Sequence, residues 1–111
     1  MHACVGASKT AYPYGSSYVA NRCLEANQPE LVGTHSLCVG GYAKLFDMAG
    51  NVFEWEDQIN NGTGTQADPY YATIRGNGFF PSAGQAGTRC DEINNIDMSS
   101  RINDLGFRCC K

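Results

Sequence analysis

The sequence predicts a loop-rich α+β domain built on short antiparallel strands, and three observations carry that reading. Thirteen glycines, with many Asn, Asp and Ser residues, occupy a chain of 111 residues. That is a composition of turns rather than of long helices. Val52-Phe53-Glu54-Trp55-Glu56 alternates apolar and acidic residues, as a strand with one buried aromatic face does. No internal repeat and no sustained helical period runs through the chain.

The elements follow in order. Tyr12-Pro13-Tyr14-Gly15-Ser16 reads as a turn with aromatic flanks, and residues 21–40 as an irregular segment holding two cysteines. Asp47-Met48-Ala49-Gly50-Asn51 is turn-like and feeds the strand just described. Residues 60–69 form a polar loop, and Tyr70 to Arg75 a second strand. A glycine-rich loop over 83–88 precedes Arg89-Cys90, and Leu105 to Cys110 is expected to return as a final strand. Phe53, Trp55, Phe107 and Tyr14 are expected in the core. Nothing marks a domain boundary, so 1–111 is one domain or part of one.

Charge and cysteine content narrow the function classes. A net charge of −3 argues against a nucleic-acid footprint, which needs a basic face. No apolar run approaches membrane-spanning length. Six cysteines in so short a chain favour a secreted, periplasmic or cell-surface setting. Yet Met1-His2-Ala3-Cys4 has neither the charged nor the apolar region of a signal peptide. The reading adopted is an excised fragment, beside a removed leader or a recent start codon. Cys-x-x-Cys is absent, which speaks against zinc.

Further along, isolated His2 and His35 read as surface or capping residues. Ser16-Ser17 and Ser99-Ser100 show no nucleophile elbow. Asn61-Gly62-Thr63 matches a glycosylation sequon.

Several blocks, taken in order, carry a family resemblance. They are Tyr12-Pro13-Tyr14-Gly15, Ala20-Asn21, Val32-Gly33-Thr34, the long run Leu45 to Trp55, Arg75-Gly76-Asn77-Gly78, Arg89-Cys90 and Leu105-Gly106-Phe107-Arg108. Together they resemble the formylglycine-generating enzyme/sulfatase-modifying factor domain. The resemblance implies an irregular relative of the C-type lectin fold. It also implies that the chain is the C-terminal portion of that domain, truncated at the N-terminus, with Ala3 to Ala7 as the tail of a helix. A chain lacking its first half would expose core surface, a driver for homodimerisation or for association with the missing half.

The same resemblance implies a calcium site on the turn before the first strand. Asp47 and Glu54 would supply side-chain oxygens, and Gly50 and Val52 backbone carbonyls. Hard Ca²⁺ takes six to eight such oxygens, and Gly50 can adopt the positive φ of a tight turn. From the residues alone, Asp47 also reads as a turn or N-cap residue and Glu54 as a solvated strand residue. A second implied calcium site would use Asn21 and the Arg22 carbonyl, with Glu25 or Glu30 replacing an acidic ligand from a loop that is shortened here.

By family position Cys4 pairs with Cys90, whereas Cys23 and Cys38 flank the irregular segment and are expected to pair with each other. Cys109 would pair with a cysteine in the missing half. Here it is free, bonded to Cys110 or bridged to another chain.

Enzymes of this family hold copper(I) between two cysteines and use O₂ to oxidise a substrate cysteine to formylglycine. The interval where that pair belongs runs from Phe79 to Thr88 and contains no cysteine, with Pro81 and Ala86 near the expected positions. Copper chemistry therefore has no soft ligand pair. The expected function is a non-catalytic, calcium-stabilised binding or structural module, with no catalytic residue assigned. Its ligand face would be Asn94, Asn95, Asp97, Ser99, Arg101 and Asn103, a polar surface near the C-terminus. The alternatives are a copper oxidoreductase completed by another chain, and an inactive gene fragment.

Overall fold

The computed structural model describes residues 2–60, 62–79 and 87–109. Asn61 of the sequon, Cys110, and the 80–86 stretch that includes Pro81 and Ala86 lie outside the described residues.

The chain forms one helical turn, α1 (His2–Val5), and four strands: β1 (Phe53–Ile59), β2 (Tyr71–Arg75), β3 (Asn94–Asp97) and β4 (Leu105–Gly106). They make one curled, mixed sheet in the order β3-β2-β1-β4. β2 runs antiparallel to both neighbours, with Glu54 opposite Arg75 and Thr73 opposite Asn95. β1 and β4 are parallel, pairing Phe53 with Leu105 and Glu54 with Gly106. The expectation of antiparallel strands throughout is therefore corrected at this edge. A parallel neighbour needs a long crossover rather than a hairpin, and the chain between Ile59 and Leu105 supplies it through β2 and β3.

β1 carries a register shift between Trp55 and Ile59, which curls the sheet locally. The residues of β2 are the best protected, with Ala72, Thr73 and Ile74 all buried. Burial of three successive residues means both faces of this central strand are covered. In β1, by contrast, Phe53 and Trp55 are only half-buried. Phe107, expected in the core, is 78% exposed. The final strand ends at Gly106, so Phe107 has no sheet neighbour to pack against.

Residues 6–52 fold without regular elements and are held by turns. Isolated bridges join Tyr12 to Gly15 and Val39 to Phe46. Packing is small and sulfur-centred: Cys23, Cys38 and Ala49 form the buried cluster, with Tyr14 against it. Two disulfides, Cys4–Cys90 and Cys23–Cys38, match the expected pairing.

Two glycines are needed where they stand. Gly50 sits at φ +73°, and a Cβ there would lie 2.5 Å from the Leu24 carbonyl oxygen. Gly41 passes so close to Gly6 that a methyl group would collide with its backbone. Large side chains elsewhere cannot substitute for these contacts.

Candidate functional site

The segment leading into β1 is a strained turn. Asp47, Gly50 and Asn51 all lie in the left-handed region, at φ +56°, +73° and +67°. Asp and Asn tolerate that region better than other non-glycine residues. The turn is fixed from several sides. Asp47 N–H donates to the Cys38 carbonyl at 3.0 Å, and Gly50 N–H to the Gly76 carbonyl at 2.5 Å.

Two buried side chains of the turn hold the neighbouring loop. Asp47 Oδ2 accepts the Gly33 N–H at 2.7 Å. Asn51 accepts the Glu30 N–H at 3.0 Å and donates to the Glu30 carbonyl at 3.1 Å. A buried amide satisfied on both sides is the structural use expected of such a residue. Sequence reasoning passed over Asn51, although a buried Asn between Gly50 and a strand start was the available signal.

Glu54 does not stand alone. Arg108 Nε donates to both of its carboxylate oxygens, at 3.0 and 3.1 Å, and Nη2 to Oε1 at 2.5 Å. Nη2 also reaches the Phe46 carbonyl at 3.1 Å and the Asp47 carbonyl at 3.4 Å. The guanidinium thus ties the end of the chain to the turn and the first strand at once. The fork geometry of arginine suits a carboxylate in this way. This partnership was legible only as two separate motifs, one around Glu54 and one ending in Arg108.

The oxygens of the turn differ in how far they are already engaged. Asp47 is 6% exposed, and its carboxylate has one described hydrogen bond, to Gly33. Among the described residues, no backbone N–H outside the sheet donates to the Gly50 or Val52 carbonyls. Glu54 would have to share its oxygens with Arg108.

The residues of the second implied calcium site have the following surroundings. A cleft of about 210 Å³ takes in Asn21, Arg22 and His35 but neither Glu25 nor Glu30. Glu25 is held by the Tyr18 hydroxyl at 3.0 Å, and Glu30 faces His35 at 3.6 Å. Arg22 lies over the Tyr14 ring, 5.6 Å from its centre. Across the described residues, no three His, Cys, Asp or Glu side chains converge.

The expected ligand face is divided by the fold. Asn94 and Asn95 belong to the edge strand β3, a strand the sequence reading did not anticipate. Asn94, Asn95, Ser99, Arg101 and Asn103 are exposed, and Asp97 is half-buried. Asn95 Oδ1, however, accepts from Asn60 Nδ2 at 2.6 Å and from the buried Thr73 hydroxyl at 3.4 Å. Asp97 closes a turn by accepting from the Ser99 N–H and hydroxyl, at 2.7 and 2.8 Å. The Ser99 N–H holds the Asp97 carboxyl below the usual carboxylate range. Asp97 and Ser99 also line a cleft of about 360 Å³ with Gln66 and Tyr70.

Cys109 is exposed and free among the described residues. The two disulfides point to an oxidising, extracytoplasmic setting. No described helix is long and apolar enough to cross a membrane.

The sequence matches the family model of the sulfatase-modifying factor enzyme 1-like domain over residues 2–111. No curated protein and no solved structure matches it. With nearly the whole chain covered by that match, the protein belongs to the sulfatase-modifying factor enzyme 1-like domain family.

Proposed function

We propose that this chain is a non-catalytic, calcium-stabilised binding or structural module on the sulfatase-modifying-factor scaffold, an irregular relative of the C-type lectin fold. The observation that carries the reading is the disposition of its thiols. Cys4, Cys23, Cys38 and Cys90 are consumed by two disulfides, the 79–88 interval has no cysteine to add, and the remaining Cys109 and Cys110 stand well outside the interval where the family's pair belongs. A copper(I) site for cysteine oxidation needs two soft thiolates. Incubation with Cu(I), O₂ and a cysteine-containing peptide is expected to yield no aldehyde by mass spectrometry. Aldehyde formation would return the chain to the enzymes.

Calcium is assigned to Asp47, Gly50, Val52 and Glu54. Support comes from Asp47, a buried carboxylate with one described hydrogen bond. An anion so placed leaves charge uncompensated, which a bound cation offsets. Bound at a hundredfold excess over Kd, an ion stabilises the native state by about 2.7 kcal/mol. Chelation is then expected to lower Tm by on the order of 10 °C. Asp47→Asn should remove that dependence while keeping an acceptor for the Gly33 N–H. Equal melting of the wild-type protein with and without chelator would dismiss the assignment.

A further inference from the structure

Although the chain is acidic overall, with a net charge of −3, it gathers basic groups in one place. His2, Lys9 and Arg89 line a cleft of about 580 Å³, whose apolar wall includes Val5 and Ala11. That volume lies within the range of about 300–1,000 Å³ typical of small-molecule sites.

The Cys4–Cys90 bridge assembles the cleft by tying α1 to the segment around Arg89. The Cys90 N–H adds a hydrogen bond to the Ala11 carbonyl at 2.8 Å. Residues 86 positions apart in sequence are thus held as the two walls of one site.

The charges within the cleft are not equivalent. Arg89 is locked to Asp91 through Nε–Oδ1 at 2.7 Å and Nη2–Oδ2 at 2.6 Å. Its guanidinium also lies over the Tyr12 ring, 5.9 Å from the centre. Both Asp91 oxygens are therefore engaged, and this acid offers little to an incoming cation. Lys9 has no ion-pair partner among the described residues. His2 is turned toward the Tyr42 hydroxyl, 2.8 Å from its Nε2. What remains for a ligand is one ammonium, a fixed planar guanidinium face and an apolar wall.

We infer that this cleft binds a small organic monoanion, a carboxylate carried on a compact apolar or aromatic body. Lys9 receives the carboxylate, while Val5, Ala11 and the face of Arg89 receive the body. A single unpaired cation matches a single negative charge, and the apolar wall favours a ligand with little other polarity. The site shares no residue with the calcium turn, so either assignment can fail without the other.

Three phenyl probes of similar size separate the possibilities: benzoate, neutral benzamide and cationic benzylamine, each titrated into the whole chain and followed by ¹H–¹⁵N NMR. Benzoate is expected to shift the amides of residues 9–11 and 89–91 and to saturate at about millimolar concentration, as a ligand of this size can. Added salt should weaken it. Lys9→Asn, which suits the φ of +50° at this position, should weaken benzoate about fivefold. Lys9→Arg should keep it. The inference is overturned if benzamide or benzylamine binds as well as benzoate. It is equally overturned if benzoate shifts no amide in the cleft, or if Lys9→Asn binds like the wild type.

Discussion

Replacing Cys4 and Cys90 together by alanine is expected to cost about 4–5 kcal/mol of folding stability. The bridge spans 86 residues, and the loop-closure entropy it withholds from the unfolded chain grows with that span. A domain of this size has only about 5–15 kcal/mol in total, so the variant should lose between about a third and nearly all of its stability. Removing Cys23–Cys38 gives a smaller entropic loss of about 3 kcal/mol, because that bridge closes a 15-residue span. Both of its cysteines are fully buried in the sulfur-centred cluster, so a packing loss adds to the entropic one. Urea unfolding of the two double variants would measure the difference. If the Cys4/Cys90 variant keeps the wild-type midpoint, the long bridge contributes nothing to stability.

Arg108→Ala is expected to cost about 2–3 kcal/mol, between the values for exposed and fully buried ion pairs. The side chains of Arg108 and Glu54 are 29% and 19% exposed, so the pair is only partly screened by solvent. Truncation strands the Glu54 carboxylate and leaves the Phe46 carbonyl without the guanidinium. Arg108→Lys should recover little, since one ammonium cannot reproduce a two-point grip on a carboxylate and reach a carbonyl as well. In a double-mutant cycle with Glu54→Ala, a coupling of about 1–2 kcal/mol is expected. Additive losses would show that the two side chains act independently.

These two expectations rest on different kinds of information. The Cys4–Cys90 pairing followed from family resemblance, because spacing by itself left several partners open. The Arg108–Glu54 contact could not be read from either residue, since 54 positions separate them. The parallel pairing of β1 with β4 brings them together. β4 ends at Gly106, so Phe107 lies beyond the last paired residue, and Arg108 reaches back to Glu54. Hydrophobicity placed that ring in the core, and the early end of the strand leaves it exposed.

The edge strand β3 shows the converse case. Asn94-Asn95-Ile96-Asp97 has poor strand propensity and read as an adaptable polar face. It pairs with β2 over four residues, and Asn95 gains hydrogen bonds to Asn60 and Thr73 from across the sheet. Tertiary context outweighed local preference, and Asn95 stays exposed while its side chain also ties the edge strand to the sheet.

What the sequence determined by itself is local or compositional. Its glycines and asparagines specified a loop-rich chain and a turn over Asp47 to Asn51 in which Gly50 can take a positive φ. Its alternation marked β1, the Tyr70 to Arg75 run marked β2, and its ordered motifs marked the family. The lack of a cysteine anywhere in the 79–88 interval is likewise read directly from the sequence. Only the tertiary structure decided which residues meet across long separations: Arg108 with Glu54, Asn95 with Thr73, and Lys9 with Arg89 in one cleft. The reason is physical. Turn and strand preferences act over a few residues, whereas a disulfide or a sheet register joins segments whose distance along the chain leaves no local trace.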